Sequence, residues 1–364
     1  MPKTPIKKLN GNFNMKLIRP SYEIIEQGPG LQGIYDIIEK CGKTSYKSEP
    51  KGGEVARKFV EARTKERHGA VLEFGTVYFR VPFDAFPNDE VCFSGYFKFV
   101  DFYNKNKYSV VKYGDDKLDD IGKPLPIQDA YITTNYRVLV ENNRLDDLKY
   151  LCEPTEYHEK RYAVKFITDI GVGREFLRHR TMSMVQESTR YVNYMKEKFG
   201  GECTFVIPSW IPKDELAEGE HVHWWDGDWV NLNNMKIVKY GKDLPTPGFP
   251  TNDPVNTWLE SLLQCEMTYK ILINQGWQAQ QARTVLPLST KTEFVLCGFK
   301  DAWVHFFRLR SDIAATGKPQ PQSEELATPL REGFIERGYI TKKSLEHEAF
   351  GDFDVAISDS NIEP

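Results

Sequence analysis

The chain has 364 residues, a net charge of −4, 40% hydrophobic and 27% charged residues. At about 150 residues per domain this length predicts two domains or one large one, with core enough to fold without disulfides or a metal. Near-neutrality excludes a surface built throughout to hold nucleic acid, and the apolar content excludes a disordered chain.

Residues 1–20 are polar and basic, with Lys3, Lys7 and Lys8. From Tyr22 to Lys40 the pattern predicts a strand and then a helix carrying Ile34, Ile37 and Ile38 at helical spacing. Glu54–Arg67 reads as a charged helix with Val55, Phe59 and Val60 inward. Leu72–Val81 alternates and predicts a half-buried strand, Val77, Phe79 and Val81 against Thr76, Tyr78 and Arg80. Residues 82–132 read as an insertion with short aromatic-rich strands around Tyr96, Phe97, Phe99 and Phe102. Thr134–Leu148 is predicted helical and Arg161–Ile170 a strand, punctuated by Gly171-Val172-Gly173 before a short helix over Arg174–Arg180. Thr181–Tyr194 reads as a loop and Trp225–Thr251 as a surface excursion. Asn256–Gly276 is a strong amphipathic helix with Gly276 as its stop, and Lys291–Arg310 is predicted as mostly a second long helix. Helices and strands without regular βαβ alternation favour an α+β fold.

Six cysteines, Cys41, Cys92, Cys152, Cys203, Cys265 and Cys297, form no C-x-x-C or zinc pattern. With no signal-like segment and no apolar run of about 18 residues, free thiols, no membrane span and a cytoplasmic location are expected. His221 and His223 stand at strand spacing, but no third ligand is near, so no metal is expected. His158 and His347 read as surface residues, and Trp224 and Trp225 as covering a core.

The stretch Arg174–Arg190, REFLRHRTMSMVQESTR, carries Arg174, Arg178, Arg180, Arg190 and His179 against only Glu175 and Glu187. Arg174 and Arg178, four apart, are expected on one helical face. Gathered guanidinium groups repel unless an anion or carboxylates sit between them. Phe176, Leu177, Met182, Met184 and Val185 draw the segment inward, so the pattern points to a bound anion more than to a solvated basic face. Ser188 adds a hydroxyl to this phosphate cradle.

Arg178-His179-Arg180, seven residues, then Ser188 and Arg190 reproduce the R-H-R-x7-S signature, and the chain resembles the flavin-dependent thymidylate synthases. At typical residue usage such a match arises by chance with a probability on the order of 10⁻⁴. His68 with Val71-Leu72-Glu73 resembles the family's upstream histidine segment. Gln281-Ala282-Arg283-Thr284-Val285-Leu286-Pro287 resembles its A-R-x-x-L-P turn, and Trp303-Val304-His305-Phe306-Phe307-Arg308-Leu309-Arg310 its last helix. The pattern departs at Ala70, Val185 and Gly298-Phe299-Lys300-Asp301.

The resemblance implies reductive methylation of dUMP to dTMP, with FAD, with methylenetetrahydrofolate as carbon donor and NADPH as reductant. It implies dUMP contacts at Arg178, Gln186, Ser188, Arg190, Arg283 and Arg310, with Arg310 catalytic by stabilising negative charge on the uracil. FAD contacts are implied at His68, Arg178, His179, Arg180, Gln186 and His305. It implies a homotetramer with shared active sites, with no nucleic-acid partner. On this resemblance, 1–20 is a flexible N-terminal segment and 21–345 one catalytic domain with insertions near 82–132 and 210–250. Residues 346–364 form a C-terminal tail. A nucleotide- or RNA-binding protein retaining the arginine cradle is the alternative, and a hydrolase using His179 as base a more distant one.

Overall fold

The computed structural model of the chain describes residues 14–83, 85–86, 94–115, 128–225, 228–240, 253–314 and 317–346. In chain order the strands are β1 (Met15–Ile18), β2 (Ser21–Ile25), β3 (Thr76–Val81), β4 (Val110–Tyr113), β5 (Ala130–Asn135), β6 (Arg161–Asp169), β7 (Ser183–Gln186), β8 (Cys203–Val206), β9 (Gly219–Trp225), β10 (Asp228–Asn231), β11 (Lys236–Lys239) and β12 (Lys291–Phe299). The helices are α1 (Gly30–Thr44), α2 (Gly53–Lys65), α3 (Gly69–Leu72), α4 (Ser94–Lys105), α5 (Tyr136–Glu141), α6 (Ile170–Phe176), α7 (Pro254–Asn274), α8 (Ala279–Ala282), α9 (Lys300–Arg310), α10 (Pro321–Glu336) and α11 (Lys342–Glu346). Helices and strands intermix without βαβ repetition, as the α+β expectation requires.

The central sheet has the order β2-β6-β12-β7, antiparallel throughout. Phe294 of β12 lies opposite Phe166 of β6 on one side and Gln186 of β7 on the other. Because side chains alternate along a strand, Phe294 and Leu296 face a core built with α9 and α10, where Trp303, Phe306, Phe307 and Phe334 are buried. Val295 and Cys297 face the opposite layer, against Ile37 and Cys41 of α1. Each fully buried aromatic there stabilises the fold by roughly 1.5–3 kcal/mol.

A five-stranded sheet, β11-β10-β9-β1-β8, packs Met15, Leu17, Phe205 and Trp229 against Leu259, Leu262 and Tyr269 of α7. A three-stranded sheet, β3-β5-β4, is covered by α1 and by Tyr96, Phe99 and Tyr103 of α4.

Several expectations are corrected. Lys291–Arg310 is not one helix but the central strand β12 running into α9. A strand covered on both faces loses the alternation that marks a half-buried one, so its sequence cannot be told from a buried helix by periodicity. The aromatic stretch near Phe97 is helix α4, with Tyr96, Phe99, Val100 and Tyr103 on its buried side, the i, i+3, i+4, i+7 stripe. β4 and β5 of that region do form small β structure, β4 pairing with β5 and β5 with β3. The strand over 72–81 begins at Thr76 and is buried on both faces except at Arg80, and Leu72 belongs to α3. Thr134–Leu148 divides into the end of β5, α5 and a 3₁₀ turn.

Val55 is 43% exposed while Ala56 and Val60 of the same helix are buried. Residues 15–18 are strand β1, so the N-terminal segment expected to be flexible enters the five-stranded sheet. The excursion over 225–251 supplies β10 and β11. Trp224 packs on the core beside Trp229, and the Trp225 side chain lies outside the described residues. His158 is buried, not surface: its Nε2 lies 3.1 Å from the Phe79 carbonyl and Nδ1 accepts from Thr155 N–H. His347, Cys92, Lys3, Lys7 and Lys8 lie outside the described residues. No helix among those described is long and apolar enough to cross a membrane.

Candidate active site

The central sheet delivers two groups of polar side chains, one at each end of α6. Asp169, the last residue of β6, starts that helix by accepting the Val172 N–H at 2.8 Å. Gly171 and Gly173 lie inside the helix instead of breaking it. Gly173 lets α6 lie close to the sheet: a Cβ there would stand 3.2 Å from Thr292 Cγ2 and 3.4 Å from Gln186 Nε2.

The first group surrounds a pocket of about 590 Å³. Gln186, Ser188, Arg190 and Arg283 line it together with Arg174 and Thr189. Gln186 is aimed by its Nε2 donating to Thr292 Oγ1 at 3.0 Å. Ser188 is held by its N–H donating to the Ser45 carbonyl at 3.2 Å. Arg283 follows α8, whose entry is fixed by reciprocal capping between Gln278 and Gln281, and it donates to Thr189 Oγ1 at 2.8 Å. Arg190 is exposed, its guanidinium 5.4 Å from the Tyr191 ring. Three guanidinium groups against one wall carboxylate, that of Glu187, make this an anion site.

Glu187 is already neutralised. It is buried and pairs at 2.7 Å with Lys291, which also pairs with Glu293, and Lys165 meets Glu293 at 2.6 Å. Burial pushes the Glu293 carboxyl up, but Lys291 and Lys165 hold it down to about 2. The pocket therefore keeps the charge of its arginines.

The second group lies past the C-terminal end of α6. Arg310 donates from Nη2 to the Glu175 carbonyl at 2.9 Å, from Nη1 to Glu175 Oε2 at 3.2 Å, and from Nε to His179 Nε2 at 3.2 Å. The carbonyl lies in the last turn of α6 and also accepts the Arg178 N–H at 3.4 Å, so Arg310 adds to the cap of that helix. Arg178 reaches the same Glu175 Oε2 at 3.3 Å. His179 is buried against Phe306, and burial, then the Arg310 and His305 charges, lowers its pKa to about 4. Its ring is neutral near pH 7, with Nε2 the acceptor. The exposed His305 ring stands 5.9 Å from it, and Arg180 is exposed beside this group.

The residues expected to share one site thus divide in a single chain: Gln186, Ser188, Arg190 and Arg283 on one pocket, and Arg178, His179, His305 and Arg310 on the other group. Arg174 and Arg178 do not share a face, because α6 ends at Phe176 and Arg178 turns back to Glu175. His68 joins neither group; it is exposed at the start of α3, whose helix packs on β7. Two residues escaped the sequence reading: Glu175, where Arg178 and Arg310 meet, and Lys291, which neutralises Glu187. The i, i+3 spacing of Glu175 and Arg178 was a usable signal, whereas Lys291 is 104 residues from its partner.

Five cysteines are described, all free, and burial raises each thiol's pKa, so none is poised as a thiolate.

An arginine-walled pocket of this size at one end of α6, with a buried arginine–histidine pair at the other, gives this α+β fold a site whose chemistry suits small anionic molecules. Residues 156–334 match the family model described as thymidylate synthase complementing protein. That stretch is just under half the length of the chain, and over it the chain is similar to the flavin-dependent thymidylate synthase family. No curated protein matches the chain.

Among solved structures, the UMP/dUMP methylase PolB from Streptomyces cacaoi bound with 5-Br UMP is similar at 15% identity and a TM-score of 0.37, covering 89% of this chain and 92% of that one. The same enzyme with 5-Br dUMP gives 14% identity and a TM-score of 0.39, covering 91% and 95%. Thymidylate synthase X from Helicobacter pylori, with FAD and dUMP, gives 21% identity and a TM-score of 0.32, covering 51% and 74%.

Proposed function

We propose that this protein methylates dUMP to dTMP in an FAD-dependent reductive reaction, with methylenetetrahydrofolate as carbon donor and NADPH as reductant. The observation that carries the reading is the convergence of Gln186, Ser188, Arg190 and Arg283, drawn from two distant segments, on one pocket. The arginines and Ser188 suit a nucleotide phosphate. Arg310 suits the uracil: a fixed cation beside the ring stabilises negative charge developing there and makes C5 nucleophilic. The donor set of the second group, exposed Arg178, Arg180 and His305 beside buried His179, suits the flavin dinucleotide. Bound there, the flavin supplies the hydride. A hydrolase using His179 as base is disfavoured, since a ring with a pKa of about 4 that already accepts from Arg310 is a weak base near pH 7.

The direct test is reconstitution. Purified protein should take up FAD, turn yellow, and form dTMP only with dUMP, the folate and a reductant. Protein that takes up no FAD, or binds dUMP without forming dTMP, would favour the nucleotide-binding alternative.

Arg190→Ala should weaken dUMP binding by about tenfold to a hundredfold, the worth of a charged hydrogen bond of about 1.5–3 kcal/mol, with the melting temperature unchanged. Calorimetric titration with dUMP measures it, and unchanged affinity would remove Arg190 from the phosphate site.

Glu175 holds Arg178 and Arg310 where the substrate's negative charge would otherwise act. Glu175→Gln should therefore tighten dUMP binding, by up to about fivefold, as a partly exposed ion pair of about 0.2–1 kcal/mol allows. Weaker binding would show that Glu175 positions the arginines instead of competing for them.

The division of the site residues into two groups supports active sites shared between copies in a homotetramer. Mixing inactive Arg283→Ala and Arg310→Ala proteins after partial dissociation should then restore dTMP formation, since some sites draw both intact arginines from different subunits. Mixtures no more active than either variant alone would place each site within one chain.

A further inference from the structure

A second cavity, of about 460 Å³, lies between β1, β8, β9 and the turn after α1. It shares no lining residue with the anion pocket. Two of its residues hold left-handed backbone that L side chains adopt at a cost: Lys47 at φ 47° and His221 at φ 52°.

The walls carry three lysines and three glutamates. Two pairs close on themselves, Lys16 with Glu220 and Lys291 with Glu293. Lys47 and Glu202 take no part in these lysine–glutamate pairs and do not pair with each other; Glu202 has the His221 ring beside it. The Lys47 ammonium donates to the Phe199 carbonyl at 2.9 Å and stands 5.8 Å from the Tyr194 ring, and no described carboxylate pairs with it. An ammonium has three donors, so two remain. The Glu202 side chain is 7% exposed, and its Oε2 faces the His221 ring, with Nδ1 2.8 Å away.

We propose that this cavity binds a small zwitterion of the α-amino-acid class, its carboxylate on the spare donors of Lys47 and its ammonium facing Glu202. A simple anion would meet three wall carboxylates and a simple cation three ammonium groups, and like charges in a partly desolvated site repel strongly. A ligand carrying both charges satisfies both spare groups at once. The volume falls in the usual range for small-molecule sites. Burial lowers the Lys47 pKa and raises that of Glu202, so each lacks the water that would otherwise solvate its charge.

The test is calorimetric titration of the full chain with individual L-amino acids, and with acetate and methylammonium as half-ligands. At least one amino acid should bind about tenfold or more tightly than either half-ligand, because two charged contacts replace one. Lys47→Met and Glu202→Gln should each weaken that binding about tenfold, with melting temperature as the folding control. No amino acid binding better than acetate or methylammonium would overturn the proposal, even if a variant fails to fold. So would binding that neither substitution changes in folded protein.

Discussion

Arg310→Ala is expected to lower dTMP formation by about two to three orders of magnitude while FAD remains bound. Arg310 is largely buried, at 17% side-chain exposure, and placed by three hydrogen bonds to Glu175 and His179. A preorganised cation of this kind stabilises developing charge without reorganising during the reaction. Of the groups left for the flavin, Arg178, Arg180 and His305 are exposed, and His179 loses the Arg310 hydrogen bond but keeps its packing on Phe306. Arg310 also caps α6, so the control is Arg310→Lys, which keeps the charge but cannot make the forked contacts. Partial activity in the lysine variant with none in the alanine variant ties the effect to the cation. Full activity in Arg310→Ala would overturn the assigned role, and loss of both flavin and fold would make Arg310 structural.

Lys291→Met is expected to destabilise the fold by about 3–5 kcal/mol, the cost of leaving a buried charge without its partner. Lys291 is 6% exposed and joins Glu187, 1% exposed, to Glu293. The variant strands the Glu187 carboxylate beneath the anion pocket, where its Oε1 already has no hydrogen-bond partner. The pH dependence has a definite sign. The folded-state pKa of Glu293, about 2, lies below its ordinary 4.5. Its stabilising contribution is therefore full above pH 4.5 and lost as pH falls toward 2. In Lys291→Met only Lys165 remains to hold that carboxyl down, so this acid-dependent loss should shrink. Denaturant melts of both proteins between pH 5 and pH 2.5 measure the two effects together. Equal stability at pH 7 would mean the buried pair is dispensable.

The chemistry was legible before the fold was. Signature spacing singled out Arg178, His179, Arg180, Ser188 and Arg190 as candidates because they lie within a few residues of one another, and local spacing is read without knowing the fold. Gly276 ends α7 with φ 96°, as a glycine after a helix should. The β12 strand was illegible for the opposite reason. Its run KTEFVLCGF is flanked by β6 and β7 and covered by α1 on one face and α9 on the other, so nothing in it alternates. The α4 helix was hidden by residue type, since aromatic residues favour strands and its periodicity was the better guide.

By itself the sequence determined the α+β class, the arginine-rich stretch, and the order of the blocks that build the site. Only the tertiary structure decided which of those residues meet. Gln186 and Arg283 line one pocket because β7 and the turn after α8 converge at the start of α6. Arg310 turns to Glu175 and His179 because α9 runs to the other end of that helix. Lys291 finds Glu187 only through the register of two paired strands. Contacts between residues a hundred positions apart depend on which elements pack together, and no local pattern encodes that.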